Sequence, residues 1–224
     1  MKDKKIIFPK YFNVLIPAFQ KAAMRAGGSA YLVGGCVRDL LLGIQHADTD
    51  ITFVGDGLQF AHYLHNSLQG ALTFHRQFQT ATLRLESGLK IDIATARSEV
   101  YPSSGSLPVV STGSLRQDLF RRDFTINALA ISLNKKSFGE LVDPFDGVTD
   151  LKNKLIKTPL DPAITFSDDP LRMMRAIRFA SQLNFDIDAD TFQAITDQKD
   201  RLKIVSHERI TDELNKIILS PVPS

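Results

Sequence analysis

The 224-residue chain is short of cysteine, tryptophan and excess charge. A single cysteine, Cys36, excludes an intramolecular disulfide framework and suits a reducing compartment. Twenty-seven Lys and Arg against 25 Asp and Glu leave a net charge of +2, so the total demands no polyanionic partner. Any contact with nucleic acid must come from local clusters. Long hydrophobic runs are missing too: no stretch reaches the ~18 to 20 uninterrupted apolar residues of a membrane span. The opening "MKDKKIIFPKYFNVLIPAF" sets lysines before apolar residues, but Pro9, Lys10 and Asn13 interrupt it and no small-residue cleavage site follows. These absences together predict a soluble, cytoplasmic protein. With 43% apolar residues, it is able to bury a real core.

Two textures divide what is present. Up to about residue 150, short β-like runs alternate with brief helical stretches. "SAYLVGG" (29–35), "TDITFVG" (49–55), "ALTFHR" (71–76), "TATLRLE" (80–86) and "LKIDIATA" (89–96) read as strands. "LQFAHYLHNSL" (58–68) repeats Phe60, Leu64 and Leu68 at helical spacing. The Pro, Ser and Gly of "YPSSGSLPVVSTGS" (101–114) predict a loop, and "VDPFDGV" (142–148) has the punctuation of a boundary. From "TFSDDPLRMM" onward the pattern is helical to the end, with no convincing strand. The expected architecture is an α+β head over 1–155 and an all-helical segment over 156–224. The closing "ILSPVPS" reads as a cut through an interdomain linker.

Chemistry first suggests itself at "HADTDITFVGDG" (46–57). Side chains at i and i+2 of a strand share a face, so Asp48 and Asp50 project together. Two carboxylates so placed repel unless a proton or cation lies between them, and Mg²⁺ is the natural hard, oxygen-liking occupant. By spacing alone, acids that simply end a strand explain the pair slightly better. Upstream, "YLVGGCVRDLLLG" runs a strand into Gly34-Gly35 and then into a helix that Gly43 can stop. Two glycines before a helix N-terminus let backbone N–H groups close on an anion, and Arg38 could reach the same phosphates. Glycine pairs also serve ordinary tight turns, and it is the following aspartates that favour a triphosphate cradle. In "KIDIATAR", Asp92 shares a face with Lys90 and, on a neighbouring strand, would sit opposite the pair. It could be a further metal ligand or the acceptor of an attacking hydroxyl's proton, or equally a solvent-facing acid on a half-buried strand.

Two further constellations follow. In "RRDFTINALA" (121–130), Arg121 and Arg122 offer planar donors suited to phosphate, while Asp123 and Asn127 would share a helix face. The same string reads equally as a capped helix with a basic N-terminus. In "SDDPLRMMRAIRFASQL" (167–183), Ser167 or Asp168 can cap a helix with Pro170 in its first turn. Asp169, Arg172, Arg175 and Arg178 then recur every three residues as a band drifting around the helix. They are either salt bridges on a solvated face or, at Asp169 and Arg172, an acceptor and donors able to hydrogen-bond a nucleobase edge.

The order G-G-x-V-R-D, D-x-D, R-R-D-x-T-x-N-A, D-P-x-x-G and D-D-P-L-R closely resembles the class II tRNA nucleotidyltransferase and bacterial poly(A) polymerase family. The resemblance runs from about Tyr31 to Leu219 and is specific, because the motifs appear in sequence. It implies a polymerase-β-type nucleotidyltransferase head, a small mixed sheet flanked by helices, followed by a helical neck. The implied activity is template-independent extension of an RNA 3′ end, adding C and/or A to tRNA from CTP and ATP with Mg²⁺ and releasing pyrophosphate. Alternatives are a poly(A) polymerase on the same scaffold and a truncated NTP-binding module without RNA activity.

By that resemblance, Gly35 and Arg38 fall where the family binds triphosphate, and Asp48 and Asp50 where it holds Mg²⁺. Arg122 and Asp123 match nucleotide contacts, Asp123 being the ribose reader. Asp169 and Arg172 match the pair that templates the incoming base, with Arg175 and Arg178 extending it. "VDPFDG" matches the hinge, and "HERITDELNKII" a neck helix in which Arg209 and Glu213 would pair at i, i+4. The family usually has Glu-Asp where this chain has Asp168-Asp169, and it normally continues into body and tail domains that grip the tRNA. "FVGDG" and the proline-bearing segment after Ala96 lean towards members that add only A or part of CCA.

Overall fold

The computed structural model describes residues 6, 8–44, 48–100 and 109–221. The chain forms two compact units, one from 1–98, 111–119 and 129–144, the other from 99–110, 120–128 and 145–224.

The first unit holds α1 (Lys10–Ala26), β1 (Ser29–Val33), α2 (Gly35–Leu42), β2 (Asp48–Val54), α3 (Gly57–Leu68), β3 (Ala71–His75), β4 (Thr80–Arg84) and β5 (Lys90–Thr95). All five expected strands form, each trimmed at an end. β6 (Arg97–Val100) and β7 (Val109–Thr112) pair as a small ribbon. The expected loop over 101–114 is therefore corrected at 109–112, where the backbone is extended and pairs with β6; 101–108 lie outside the described residues. After α4 (Leu115–Phe120), β8 (Ala130–Ser132) and β9 (Leu141–Val142) complete a seven-stranded mixed sheet of order β3-β4-β5-β2-β1-β8-β9. Only β2 and β5 run parallel within it; the other neighbours are antiparallel.

Alternation assigns the two faces of this sheet. Ile51, Phe53, Ala81, Leu83, Ile91 and Ile93 are all buried, and α3 packs on them through Phe60, Ala61 and Leu64. Phe53 and Phe60 stack at 4.6 Å between centroids. The residues between them, Asp50, Thr52, Thr82 and Asp92, belong to the opposite face. The apolar half of the pattern therefore fixes which way the acids point. Gly55-Asp56-Gly57 makes the turn into α3: Gly55 has φ +132°, Asp56 Oδ1 accepts from Gln59 N at 3.0 Å, and a Cβ on Gly57 would meet Thr95 at under 3 Å.

The second unit contains α5 (Gly147–Asn153), β10 (Leu155–Ile156), α6 (Pro162–Asp168), α7 (Leu171–Leu183), β11 (Asp186–Ile187), α8 (Ala189–Gln198) and α9 (His207–Ile218). Phe124, Phe166, Leu171, Met173, Ala176 and Phe179 are buried in it. One element escapes the all-helical expectation: β11 pairs in parallel with β10. Two residues are too few to produce an alternation. No helix among the described residues is long and apolar enough to cross a membrane.

Candidate functional site

In the first unit, the strand-to-helix turn at Gly34 is built as its sequence suggests. Gly34 has φ 72°, ψ −137°, a conformation closed to side chains with a Cβ. Its N–H donates to Leu129 O at 3.1 Å, and its carbonyl accepts from Val37 N and Arg38 N, starting α2. Gly43 ends that helix in the left-handed region, φ 74°. At Gly35 an added Cβ would meet only the Arg38 guanidinium, at 3.6 Å, so the backbone there is open to close approach. Arg38 itself is buried and bonded to Asp39 Oδ1 at 2.8 Å. Its guanidinium is thus oriented by its neighbour in the sequence.

Asp48 is exposed and Asp50 half-buried on the face of β2 opposite the α3-packed one, and Asp92 of β5 lies in register with Asp50. The sequence expectation that a third acid faces the pair from a neighbouring strand is met. Asp92 Oδ1 accepts from Thr82 Oγ1 at 2.7 Å, while Lys90 forms an ion pair with Asp92 Oδ2. The hydrogen bond to Asp92 holds the Lys90 ammonium above the usual lysine range. Behind Asp50 stands buried Cys36, whose thiol donates to Val33 O at 3.0 Å and whose sulfur accepts from Asp50 N at 3.2 Å. Thr52 Oγ1 donates to buried Asp118 Oδ2 at 3.2 Å.

Among the described residues no three His, Cys, Asp or Glu side chains converge to hold a metal. The donor set that fits a hard cation is the same-face pair Asp48 and Asp50, with Asp92 occupied by Lys90. Hard oxygen donors of this kind suit Mg²⁺, whose coordination is usually one or two carboxylates completed by water and phosphate.

In the second unit, the string "RRDFTINALA" departs from the helix expected of it. Only a 3₁₀ turn (Thr125–Asn127) forms, before β8. Thr125 is tied into that unit by its N–H to Lys157 O at 2.8 Å and its hydroxyl to Asp150 Oδ2 at 2.6 Å. Asn127 still meets Asp123, with Nδ2 donating to Oδ1 at 3.1 Å, where Phe124 N also donates at 2.9 Å. Asp123 Oδ2 receives Arg175 Nε at 2.8 Å and Nη2 at 2.5 Å. Burial alone would raise this carboxyl, but the Arg175 charge, the Asn127 hydrogen bond and the more distant Arg172 outweigh it and hold it below the ordinary range. Four donors saturate a carboxylate. As placed, Asp123 grips Arg175, and a ribose hydroxyl would have to displace one of its partners. Burial in the same way would lower Arg175, and Asp123 with Glu213 outweighs it to raise the guanidinium. Arg121 and Arg122, which open this string, are half-buried.

The helix expected to be capped by Ser167 or Asp168 starts later. α7 begins at Leu171 behind Pro170, and Asp169 Oδ1 accepts from Leu171 N at 3.2 Å. The Cδ of Pro170 clashes with a helical backbone at the residue before it, so Asp169 is extended and outside the helix. Arg172 reaches back instead, Nη2 to Arg121 O at 2.9 Å and Nη1 to Thr165 O at 3.4 Å. Arg178 lies 3.0 Å from Glu213 and over the Phe179 ring, 4.4 Å from its centroid. The expected Arg209–Glu213 pairing is corrected: Arg209 bonds Asp169 at 2.9 Å, and Glu213 faces Arg175, Arg178 and Lys216. A distant opposite charge won over the i+4 neighbour because α9 packs against α7.

Residues 30–157 match the model of the Poly A polymerase head domain, and 184–224 that of the probable RNA and SrmB-binding site of polymerase A. The chain is 40% identical over 204 residues to an A-adding tRNA nucleotidyltransferase of Halalkalibacterium halodurans, covering 89% of this chain and 47% of that protein. It is 40% identical over 215 residues to a CCA-adding enzyme of Lactobacillus helveticus, covering 95% and 51%. Among solved structures, a CCA-adding enzyme in its apo form II superposes with TM-score 0.89 at 41% identity, covering 97% of this chain and 51% of that one. The Thermotoga maritima CCA-adding enzyme complexed with tRNA CCA superposes with TM-score 0.84 at 39% identity, covering 98% and 50%. The chain spans about half the length of these relatives.

Proposed function

Because the chain belongs to the Poly A polymerase head-domain family, we propose that it carries the catalytic and base-reading parts of a tRNA 3′-end nucleotidyltransferase. The reaction is in-line attack of an RNA 3′-hydroxyl on the α-phosphorus of ATP or CTP, forming a phosphodiester and releasing pyrophosphate. The observation that carries this reading is the register of Asp50 with Asp92 on the sheet face opposite α3, two residues from Asp48.

Residues 1–155 supply the catalytic head and 156–224 the helical neck. Gly34 and Gly35 open the backbone at the start of α2 to the triphosphate, and Arg38, turned from Asp39, adds charge-assisted donors to it. Asp48 and Asp50 would hold Mg²⁺, which when bound would supply charge neutralisation at the reacting phosphates and make the attacking hydroxyl more acidic. Asp92 accepts the proton of the attacking hydroxyl, its carboxylate oriented by Thr82 and Lys90. Asp169 and Arg172 read the base edge, with Arg122, Arg175 and Arg178 supporting the nucleotide and Asp123 with Asn127 anchoring Arg175. Catalysis is positioning and electrostatics, with no covalent enzyme intermediate. The names of the relatives support tRNA as the RNA partner and A and C as the nucleotides added; the proposed setting is the cytoplasm.

The test is to incubate the chain with tRNAs ending before each of the three terminal nucleotides and with single labelled NTPs. Incorporation restricted to tRNA supports the reading and shows which nucleotides are added. Equal extension of unrelated RNA with ATP would make the chain a poly(A) polymerase. NTP binding without incorporation would reduce it to a nucleotide-binding module.

A further inference from the structure

Three arginines, scattered over the second unit's sequence, converge on the short turn that carries Asp169. Arg172 donates to Thr165 O at 3.4 Å, Arg201 to Ser167 O at 3.1 Å, and Arg209 to Asp169 Oδ2 at 2.9 Å. The first two close the carbonyl end of α6, where cations are favoured. The third differs in kind, because it engages the side chain assigned to base reading.

The Asp169 carboxylate is fixed at both oxygens, Oδ1 by Leu171 N at 3.2 Å and Oδ2 by Arg209. Each oxygen accepts two hydrogen bonds, so each keeps a lone pair. Held this way the group presents an acceptor at a constant place and angle. Adenine and cytosine carry an exocyclic amino donor on their pairing edge, where uracil carries a carbonyl oxygen. A carboxylate accepts only, so a fixed Asp169 favours the amino bases and repels uracil, and one free to rotate discriminates less. Glu213, one turn after Arg209 on α9, faces two other arginines of α7 and leaves Arg209 to Asp169. It is buried, 3.8 Å from Arg175 and 3.0 Å from Arg178.

Resting on the nucleotidyltransferase reading above, we propose that Arg209 is a specificity-determining positioning residue: from α9 it orients the Asp169 carboxylate, and base selectivity depends on it while triphosphate binding does not. The pair is partly open to solvent, with 53% of the Arg209 side chain and 24% of that of Asp169 accessible. An ion pair so exposed contributes little to stability. Loss of selectivity on its removal will therefore be separable from loss of fold.

The experiment measures displacement of a fluorescent ATP analogue from the chain, with Mg²⁺ present, by ATP, CTP, UTP and inorganic tripolyphosphate. It compares the unaltered chain with Arg209→Ala and Arg209→Lys, each checked by thermal melting. Arg209→Ala is expected to shrink the preference for ATP and CTP over UTP about tenfold, the size of one misdirected charge-assisted hydrogen bond. Tripolyphosphate affinity and melting temperature stay as they were, and Arg209→Lys, which still donates, restores most of the preference. An unchanged ATP-to-UTP ratio in Arg209→Ala overturns the proposal, and so does an equal loss for all four ligands including tripolyphosphate. If the unaltered chain binds none of them, the underlying reading fails first, before any substitution is compared.

Discussion

Replacing Asp123 with asparagine should destabilise the chain by an amount that depends on pH in a definite direction. The carboxylate is buried and takes four hydrogen bonds, two of them from Arg175. Removing one partner of a fully buried ion pair costs about 3–5 kcal/mol, because the other charge is left uncompensated. Two features here reduce that figure. The Arg175 side chain is one-third exposed, and Glu213 stays within 3.8 Å of it as a substitute partner. Asparagine also keeps the shape and one acceptor, so about 2 kcal/mol is expected at neutral pH, or a fall of roughly 4–8 °C in Tm for a chain of this size. The folded carboxyl is held below the ordinary Asp value of 3.8. Its stabilisation is therefore fully present above that value and is lost as pH falls through the lower, folded one. Urea unfolding of both proteins at several pH values between about 7 and 3 reads this directly, and the gap between them must narrow at the acid end. A gap that is absent at neutral pH, or constant across the range, refutes the assignment of Asp123 as the anchor of Arg175.

Asp50→Ala should abolish nucleotide incorporation while Tm shifts by no more than a few degrees, since the half-buried side chain faces away from the helix-packed core; robust residual incorporation would sink its assignment to Mg²⁺. Chelation by EDTA should stop incorporation in the unaltered chain and added Mg²⁺ should restore it, whereas activity that survives exhaustive chelation would remove the metal from the reaction. Arg172→Ala should degrade the choice among ATP, CTP and UTP more than it weakens triphosphate affinity, and single-nucleotide kinetics with unchanged selectivity would count against it. Phe60→Ala removes a fully buried ring stacked on Phe53 and should cost about 3–5 kcal/mol in urea unfolding; a cost under about 1 kcal/mol would mean that α3 does not hold the sheet.

The first unit was legible because its signals are local and period-bound. Alternation in "TDITFVG" and "LKIDIATA" separates Ile51, Phe53, Ile91 and Ile93 from Asp50 and Asp92, and one register then brings the two acids side by side. Gly34 and Gly43 were readable for a similar reason, since each stands where only a residue without a Cβ is at ease. What escaped was short or conditional. β8, β9, β10 and β11 span two or three residues each, too few for an alternation to repeat. The long first helix, Lys10–Ala26, hides Pro17 in its interior and has no side-chain cap at Pro9.

The charge network of the second unit escaped for a different reason, and this bears on how such sites are read. Helical spacing places Arg209 beside Glu213, and it places Asp169 in one band with Arg172, Arg175 and Arg178. Both inferences treat a helix as though its neighbours were water. Once α9 lies against α7, each charged group chooses among all partners within reach, and the choice follows burial more than sequence distance. Glu213, nearly inaccessible, takes the two arginines of α7 because a buried carboxylate without counter-charge is costly. Arg209 is then released to Asp169, which Pro170 has already turned out of the helix. The order of these choices follows from desolvation: the most buried acid is satisfied first, and the exposed pair forms from what remains. A Glu213→Gln chain should accordingly weaken the hold on Arg175 and Arg178 and lower Tm more than Arg209→Ala does, although both residues occupy the same face of α9. Thermal melts of the two variants side by side, with the larger loss falling on Arg209→Ala, would reverse that hierarchy and the desolvation argument with it.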